Sequence, residues 1–294
     1  MHWQKVTLVG VGLLGGSLGL ALRRRRLAGC VTGFVRRPSS VSESRKVGAV
    51  DAATCDLLEA VAGSDLIVLC TPISQMRPLL ERMLPVVAPG AIITDVGSVK
   101  ASVVRELEPL ARAAGAHFVG SHPMAGAEKT GVSAARADLF ANSVCVVTPG
   151  KRTHKPSVQA IEGLWRAVGG RVLRLAPDIH DALVSRSSHL PHVTAAALAN
   201  YVLDPAQPKQ QPELCATGFR DTTRIASGSP EMWRDIALSN RRNLSGAIEA
   251  LIRDLRRFQR ALRGEDAAAI SAFFEQAKRR RDAWCARCAS PSPE

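Results

Sequence analysis

Aromatic residues are scarce in this chain of 294 residues, at 4% with a single tyrosine. That scarcity removes the stacking platforms on which single-strand nucleic-acid binders rely. No apolar run approaches the roughly 20 residues of a membrane span. The first ten residues lead straight into a strand-like segment, with no basic region, apolar stretch and small-residue cleavage site in succession. A cytoplasmic location is therefore expected. The seven cysteines are odd in number and scattered, which speaks against a disulfide framework and for free, mostly buried thiols in a reducing compartment. Only Cys285-Ala-Arg-Cys288 has redox or metal spacing, and it lacks the second pair that a zinc site wants. No metal is expected.

Acidic residues are also in deficit. Lys and Arg number 39 against 26 Asp and Glu, a formal net charge of +13, and the bases are chiefly arginine. Such a balance points to anionic partners. With so few aromatics, small anions are favoured over nucleic acid, and the runs 23–26 and 278–281 are read as solvated charge at helix ends or faces. The 46% hydrophobic content is ample for a core and excludes wholesale disorder.

The first half alternates short β-branched runs with helical stretches. Strands are expected at 6–9, 31–35, 66–70, 91–95, 116–119 and 144–148, with helices at 13–25 and 76–87. Runs of apolar residues without alternation indicate strands buried on both faces, as in a parallel sheet. Beyond about residue 177 helical periodicity takes over, at 180–200, 232–264 and 265–288. The expected architecture is an α/β, Rossmann-type doubly wound parallel sheet over residues 1–176. An all-helical domain over 177–288 and a disordered tail at 289–294 follow. Gly10-Val-Gly-Leu-Leu-Gly15 sits between a strand and a helix, where Gly10 allows a tight turn, Gly12 admits a pyrophosphate and Gly15 lets helix and strand pack closely. A glycine turn made for packing alone is the bland alternative. At the end of the second strand, where NAD sites usually carry Asp or Glu, the chain reads Val35-Arg36-Arg37-Pro-Ser39-Ser40. Two guanidiniums and two hydroxyls suit a 2′-phosphate, so NADP is expected in preference, with NAD also accommodated.

Several ordered segments then carry a likeness. They are Gly10-Val-Gly-Leu-Leu-Gly-Gly-Ser17, Cys70-Thr-Pro-Ile73, Thr94-Asp-Val-Gly-Ser-Val-Lys100 and Gly120-Ser-His-Pro-Met-Ala-Gly126. Further on stand Ser188-His-Leu-Pro-His192, Gly218-Phe-Arg-Asp-Thr-Thr-Arg-Ile225 and Ser229-Pro-Glu-Met-Trp-Arg-Asp235. Together the chain resembles the prephenate/arogenate dehydrogenase family of tyrosine biosynthesis. The resemblance implies a homodimer joined through the helical domain, an active site between the domains, and oxidative decarboxylation of a cyclohexadienol. It implies that His122 assists deprotonation of the ring hydroxyl and that Ser98 bonds the same hydroxyl, although a helix cap would also explain Ser98. Arg224 is matched to a substrate carboxylate, Arg220 to a position that is basic in relatives, and His189 and Trp233 to the pocket. Cofactor contacts fall on Gly10, Gly12, Leu13, Leu14, Gly15, Thr71 and Pro72, with Arg36, Arg37 and Ser39 for a phosphate. Lys100 is expected to be a surface or phosphate-proximal charge.

Prephenate is the favoured substrate. Arogenate, or use of both, is the alternative, and Glu128 is a candidate partner for arogenate's ammonium. A relative acting on 4-amino-4-deoxyprephenate is a further reading. Another NADP-dependent two-domain reductase, such as a β-hydroxyacid dehydrogenase or imine reductase, would not need the histidine and arginine segments. A non-catalytic NADP sensor would not need His122 and Ser98 together.

Overall fold

The computed structural model describes residues 2–127 and 129–289. The elements in chain order are β1 (Trp3–Val9), α1 (Leu13–Arg24), β2 (Ala28–Phe34), α2 (Pro38–Lys46), β3 (Ala52–Thr54), α3 (Leu57–Val61), β4 (Leu66–Leu69) and α4 (Ile73–Met83). Next come β5 (Ile92–Asp95), α5 (Ala101–Ala113), β6 (His117–Pro123), β7 (Val144–Thr148), α6 (Lys155–Ala167), β8 (Arg171–Arg174) and α7 (Pro177–Val184). The remainder is helical: α8 (Leu190–Val202), α9 (Thr217–Thr223), α10 (Pro230–Ser239), α11 (Arg241–Arg263) and α12 (Ala267–Ala289).

The strands form one eight-stranded sheet in the order β3-β2-β1-β4-β5-β6-β7-β8. Its first six strands run parallel in the doubly wound order, as the apolar runs indicated. One reversal is added: β7 pairs antiparallel with β6, and β8 then follows β7 in parallel. β3 and β8 escaped the sequence reading because neither is an apolar run. β3 has three residues, and β8 is flanked by exposed arginines.

Successive residues of the central strands point to opposite faces. Val6, Leu8, Leu66 and Val68 enter one core with Phe140 and Trp165, whereas Val9, Ile67, Leu69 and Ile93 enter a second with Met76, Leu80 and Leu107. Both faces are covered, so the strands carry no polar alternation. α1 lies so close to the turn after α2 and to β1 that a Cβ on Gly19 would stand 2.0 Å from the Ala49 carbonyl oxygen and 3.0 Å from Leu8 Cδ1.

Two long expected helices are each broken. The stretch 180–200 is interrupted by a π-helical turn at Ser185–His189, and Pro191 then occupies the start of α8. The stretch 232–264 ends its first part at Ser239, because Asn240 is buried and its side-chain amide donates to the Asp181 carbonyl.

By contacts the chain divides into one unit ending at Asn243 and a second beginning at Leu244, later than the change of character near residue 176. The first unit includes α7 to α10 because these are bonded into the sheet's carboxyl edge. Asp181 accepts from the backbone N–H groups of Lys100 and Ala101, and Ser74 donates to Asp235 at 2.5 Å. Within the second unit, Phe258 packs at a tilt against Phe273 and edge-on against Phe274 where α11 meets α12. Helix α12 continues through Ala289, so the expected tail at 289–294 lies outside the described residues apart from that last helical position. No described helix is long and apolar enough to cross a membrane.

Among the six cysteines whose side chains are described, all are free, but only Cys145 is buried. Cys55 is exposed and the others are intermediate, which corrects the expectation of mostly buried thiols. Burial pushes the Cys145 thiol up to about 12. The Cys288 side chain lies outside the described residues.

Gly19→Ala should destabilise the first unit by about 1–3 kcal/mol, the scale of an overpacked core. Gly12→Ala, whose Cβ meets nothing within 4 Å, should leave stability nearly unchanged. Urea unfolding midpoints of the two variants check this.

Candidate active site

The glycine loop leaves β1 at Gly10, whose φ of +102° is a conformation that L side chains rarely adopt. A Cβ on Gly15 would lie 2.1 Å from the Gly10 carbonyl oxygen, so helix and turn touch there. A Cβ on Gly12 would meet nothing within 4 Å, and Gly12 caps α1 without any side-chain bond. The first N–H groups of α1, from Leu13, Leu14 and Gly15, thus form an open helix N-terminus suited to phosphate. Thr71 Oγ1, in the turn after β4, is buried without a partner beside Gly10, and Pro72 caps α4. The fold therefore gathers Gly10, Gly12, Leu13, Leu14, Gly15, Thr71 and Pro72 at one end of β1 and β4. These residues fit a dinucleotide. At the end of β2, Val35 is buried in the core, while Arg36, Arg37 and Ser39 are exposed at the start of α2.

His122 lies near the end of β6 and is 7% exposed. Its Nδ1 is 2.8 Å from His180 Nε2, and His180 Nδ1 is 2.8 Å from Asp181 Oδ1. His180 and Asp181 are both buried on α7. Burial pulls the His122 pKa well below its ordinary value, and the neighbouring His180, Lys100 and His189 push the same way. The ring is thus neutral at neutral pH. Sequence reasoning missed His180 and Asp181. Adjacent on one helix and far from every motif, they carried no signal of spacing.

Beneath His122 lies a buried network. Lys100, expected at the surface, is fully buried and donates through Nζ to Asp95 and, at 3.0 Å, to the Ser121 carbonyl. Desolvation lowers its pKa, against the attraction of Asp95. Asp95 also accepts from Ser121 N at 3.1 Å and Gly97 N at 2.8 Å, and Ser121 Oγ lies 2.9 Å from Thr94 Oγ1. These bonds set the backbone on which His122 stands.

Ser98 occupies the turn between β5 and α5 and does not cap the helix. Asp181 instead bonds the N–H groups of Lys100 at 2.7 Å and Ala101 at 2.9 Å. His189, expected at the pocket, is fully buried, with Nδ1 3.2 Å from Asn240 Nδ2 and Nε2 unpartnered. Burial lowers its pKa to about 4. The π-helical turn carries it inward. His192 is the partly exposed histidine of that segment, stacked on Trp233 at 3.7 Å between ring centroids. Arg220 and Arg224 are exposed on α9 and the turn after it, a segment packed on α8. Glu128 lies outside the described residues. No group of three or more His, Cys, Asp or Glu that could hold a metal occurs among the described residues.

The family model described as "Prephenate dehydrogenase, nucleotide-binding domain" matches residues 18–174, and "Prephenate dehydrogenase, dimerization domain" matches 176–276. The chain belongs to the prephenate dehydrogenase family. It is thereby an NAD(P)-dependent oxidoreductase by family, and the resemblance read from the motifs holds. Prephenate dehydrogenase of Bacillus subtilis (strain 168) is 33% identical, over 94% of this chain and 75% of its own length. Cyclohexadienyl dehydrogenase of Zymomonas mobilis subsp. mobilis is 30% identical, over 95% of each. The crystal structure of prephenate dehydrogenase from A. aeolicus, in complex with hydroxyphenyl propionate and NAD+, superposes with a TM-score of 0.88 at 32% identity, covering 96% of this chain and 99% of that one.

Lys100→Met should destabilise the fold by about 3–5 kcal/mol, because it strands a buried carboxylate. Adding Asp95→Asn should recover much of that loss. Chemical denaturation of the single and double variants measures it.

Proposed function

We propose that this chain oxidatively decarboxylates prephenate to 4-hydroxyphenylpyruvate, with His122 as the base. The observation that carries this reading is the state of His122. It is neutral and nearly buried, and because Nδ1 is occupied by His180 only Nε2 is left to face a substrate. A nicotinamide held at the glycine loop would supply the acceptor for the hydride of the ring carbinol carbon. His122 Nε2 takes the hydroxyl proton as that hydride leaves. The ring carboxylate then departs as CO2, its bonding electrons enter the ring, and the same proton returns from His122 to the phenolate oxygen. No net proton is consumed. Ser98, in the turn leading to Lys100, is assigned to the hydroxyl. Arg224 and Arg220 are the fork-shaped cations for the carboxylates. His189, an electrostatic neighbour of His122 whose buried Nε2 has no hydrogen-bond partner, is kept as a pocket residue, with Trp233 beside it.

Arogenate, or both substrates, is the second reading, favoured by the Zymomonas relative's name as a cyclohexadienyl dehydrogenase. A homodimer through the helical part is supported by the dimerization-domain match and by exposed Leu255, Leu262, Phe274 and Trp284 in the second unit. The domain division at residue 176 suits the same match, and free cysteines are in keeping with a cytoplasmic location.

Steady-state kcat/KM for prephenate and arogenate, each with NAD and NADP, tests the substrate reading. Absence of turnover with both would overturn it. His122→Asn should lower kcat by about 10²–10⁴-fold with KM largely kept. Since the active base is the neutral ring and its pKa is depressed, kcat should stay full at neutral pH and fall only as the pH drops through a value below 6.5. NADP should be preferred, because Arg36 and Arg37 are exposed at the end of β2 and buried Val35 offers no carboxylate to free ribose hydroxyls. The preference should be on the order of ten- to a hundredfold and should shrink with salt. Replacing both arginines by Ala together with Val35→Asp should reduce or reverse it, as measured by kcat/KM for the two cofactors.

A further inference from the structure

We propose that His180 and Asp181 are positioning residues that fix the tautomer of His122 and hold its Nε2 free to accept a proton. This rests on the reading of His122 as the base. The hydrogen bonds decide the direction. Asp181 can only accept at Oδ1, so the 2.8 Å contact places a hydrogen on His180 Nδ1. With His180 in its neutral form the ring carries this one N–H, and its Nε2 is the acceptor. The 2.8 Å contact to His122 Nδ1 then requires the hydrogen on His122 Nδ1. Nε2 of His122 keeps its lone pair.

Asp181 is itself immobilised. It accepts the backbone N–H of Lys100 at 2.7 Å and of Ala101 at 2.9 Å, and is 2% exposed. The relay thus starts from a carboxylate clamped at the N-terminus of α5 and ends on the reacting nitrogen. Its chemical effect appears when His122 accepts the hydroxyl proton. The O–H bond breaks, the Nε2–H bond forms, and the new positive charge is shared through Nδ1–H with His180 and, beyond it, Asp181. No proton need leave His122 on the far side, and the one it took returns to the product oxygen. Without the relay that charge would form in a dry site already facing the Lys100 ammonium, with His189 the other titratable neighbour. A wrong tautomer would put a hydrogen on Nε2 and present a donor where an acceptor is required.

The experiment uses the full chain labelled with ¹⁵N-histidine. Two-bond ¹⁵N–¹H spectra at neutral pH report each ring's tautomer, and the His122 signals are assigned by their loss in His122→Asn. Wild type should show His122 as the Nδ1–H form. His180→Leu removes the acceptor and should give a mixture or the Nε2–H form. It should also lower kcat about ten- to a hundredfold with KM and cofactor binding unchanged. His180→Gln supplies a carbonyl that accepts from Nδ1–H, and should keep the tautomer and recover most of the turnover. The proposal is overturned by an Nε2–H His122 in wild type. It is equally overturned by His180→Leu with wild-type tautomer and turnover, or by a folded His180→Gln as impaired as the Leu variant. If the Leu variant fails to fold, the wild-type tautomer and the Gln variant still decide. The tautomer is read without substrate, so failure of prephenate to react would overturn the proposed function and leave this assignment standing.

Discussion

One buried carboxylate ties the start of α5 to the helices that follow the sheet. Asp181 receives the N–H groups of Lys100 and Ala101, where α5 begins, and also the ring N–H of His180. The first two bonds satisfy donors that a helix start otherwise leaves open. The third orients an imidazole toward His122. Asn240 then reaches back to the Asp181 carbonyl, so the junction of α10 and α11 is registered against the same residue. Burial makes these bonds strict, because an unpaired polar group here has no water to turn to.

The electrostatics of the site follow from that dryness. His122 and His189 are held neutral chiefly by desolvation, and Lys100 is kept beside them by its pairing with Asp95. A buried ion pair of this kind is weak as a source of stability, but it fixes geometry. Through Ser121 it sets the strand that carries His122, while the glycine loop three strands away leaves an open helix N-terminus for phosphates. The open helix N-terminus and the buried histidine are thus built by separate parts of one sheet edge.

Much of this was legible in the chain itself. Unbroken apolar runs gave the central strands, because a strand covered on both faces has no reason to alternate. Gly10 and Gly15 were readable because backbone turn and helix contact leave room for nothing larger. The ordered segments around His122 and Arg224 identified the family, since several specific motifs recur there in one order. Short β3 and arginine-flanked β8 were not legible, nor was the reversal of β7, because pairing direction is not encoded in any one strand's pattern.

The sequence by itself determined the parallel core of the sheet, the nucleotide loop and the family. Only the tertiary structure decided what stands behind His122. His180 and Asp181 are adjacent on a helix with no motif of their own, and Lys100 read as a surface charge until the fold buried it against Asp95. His189 was matched to the pocket by its motif, and a π-helical turn carries it inward to Asn240 while His192 stays partly exposed against Trp233. Periodicity and spacing record which residues share an element. Hydrogen bonds between groups 58 or 81 residues apart depend on how elements pack, and that information exists only once the chain has folded.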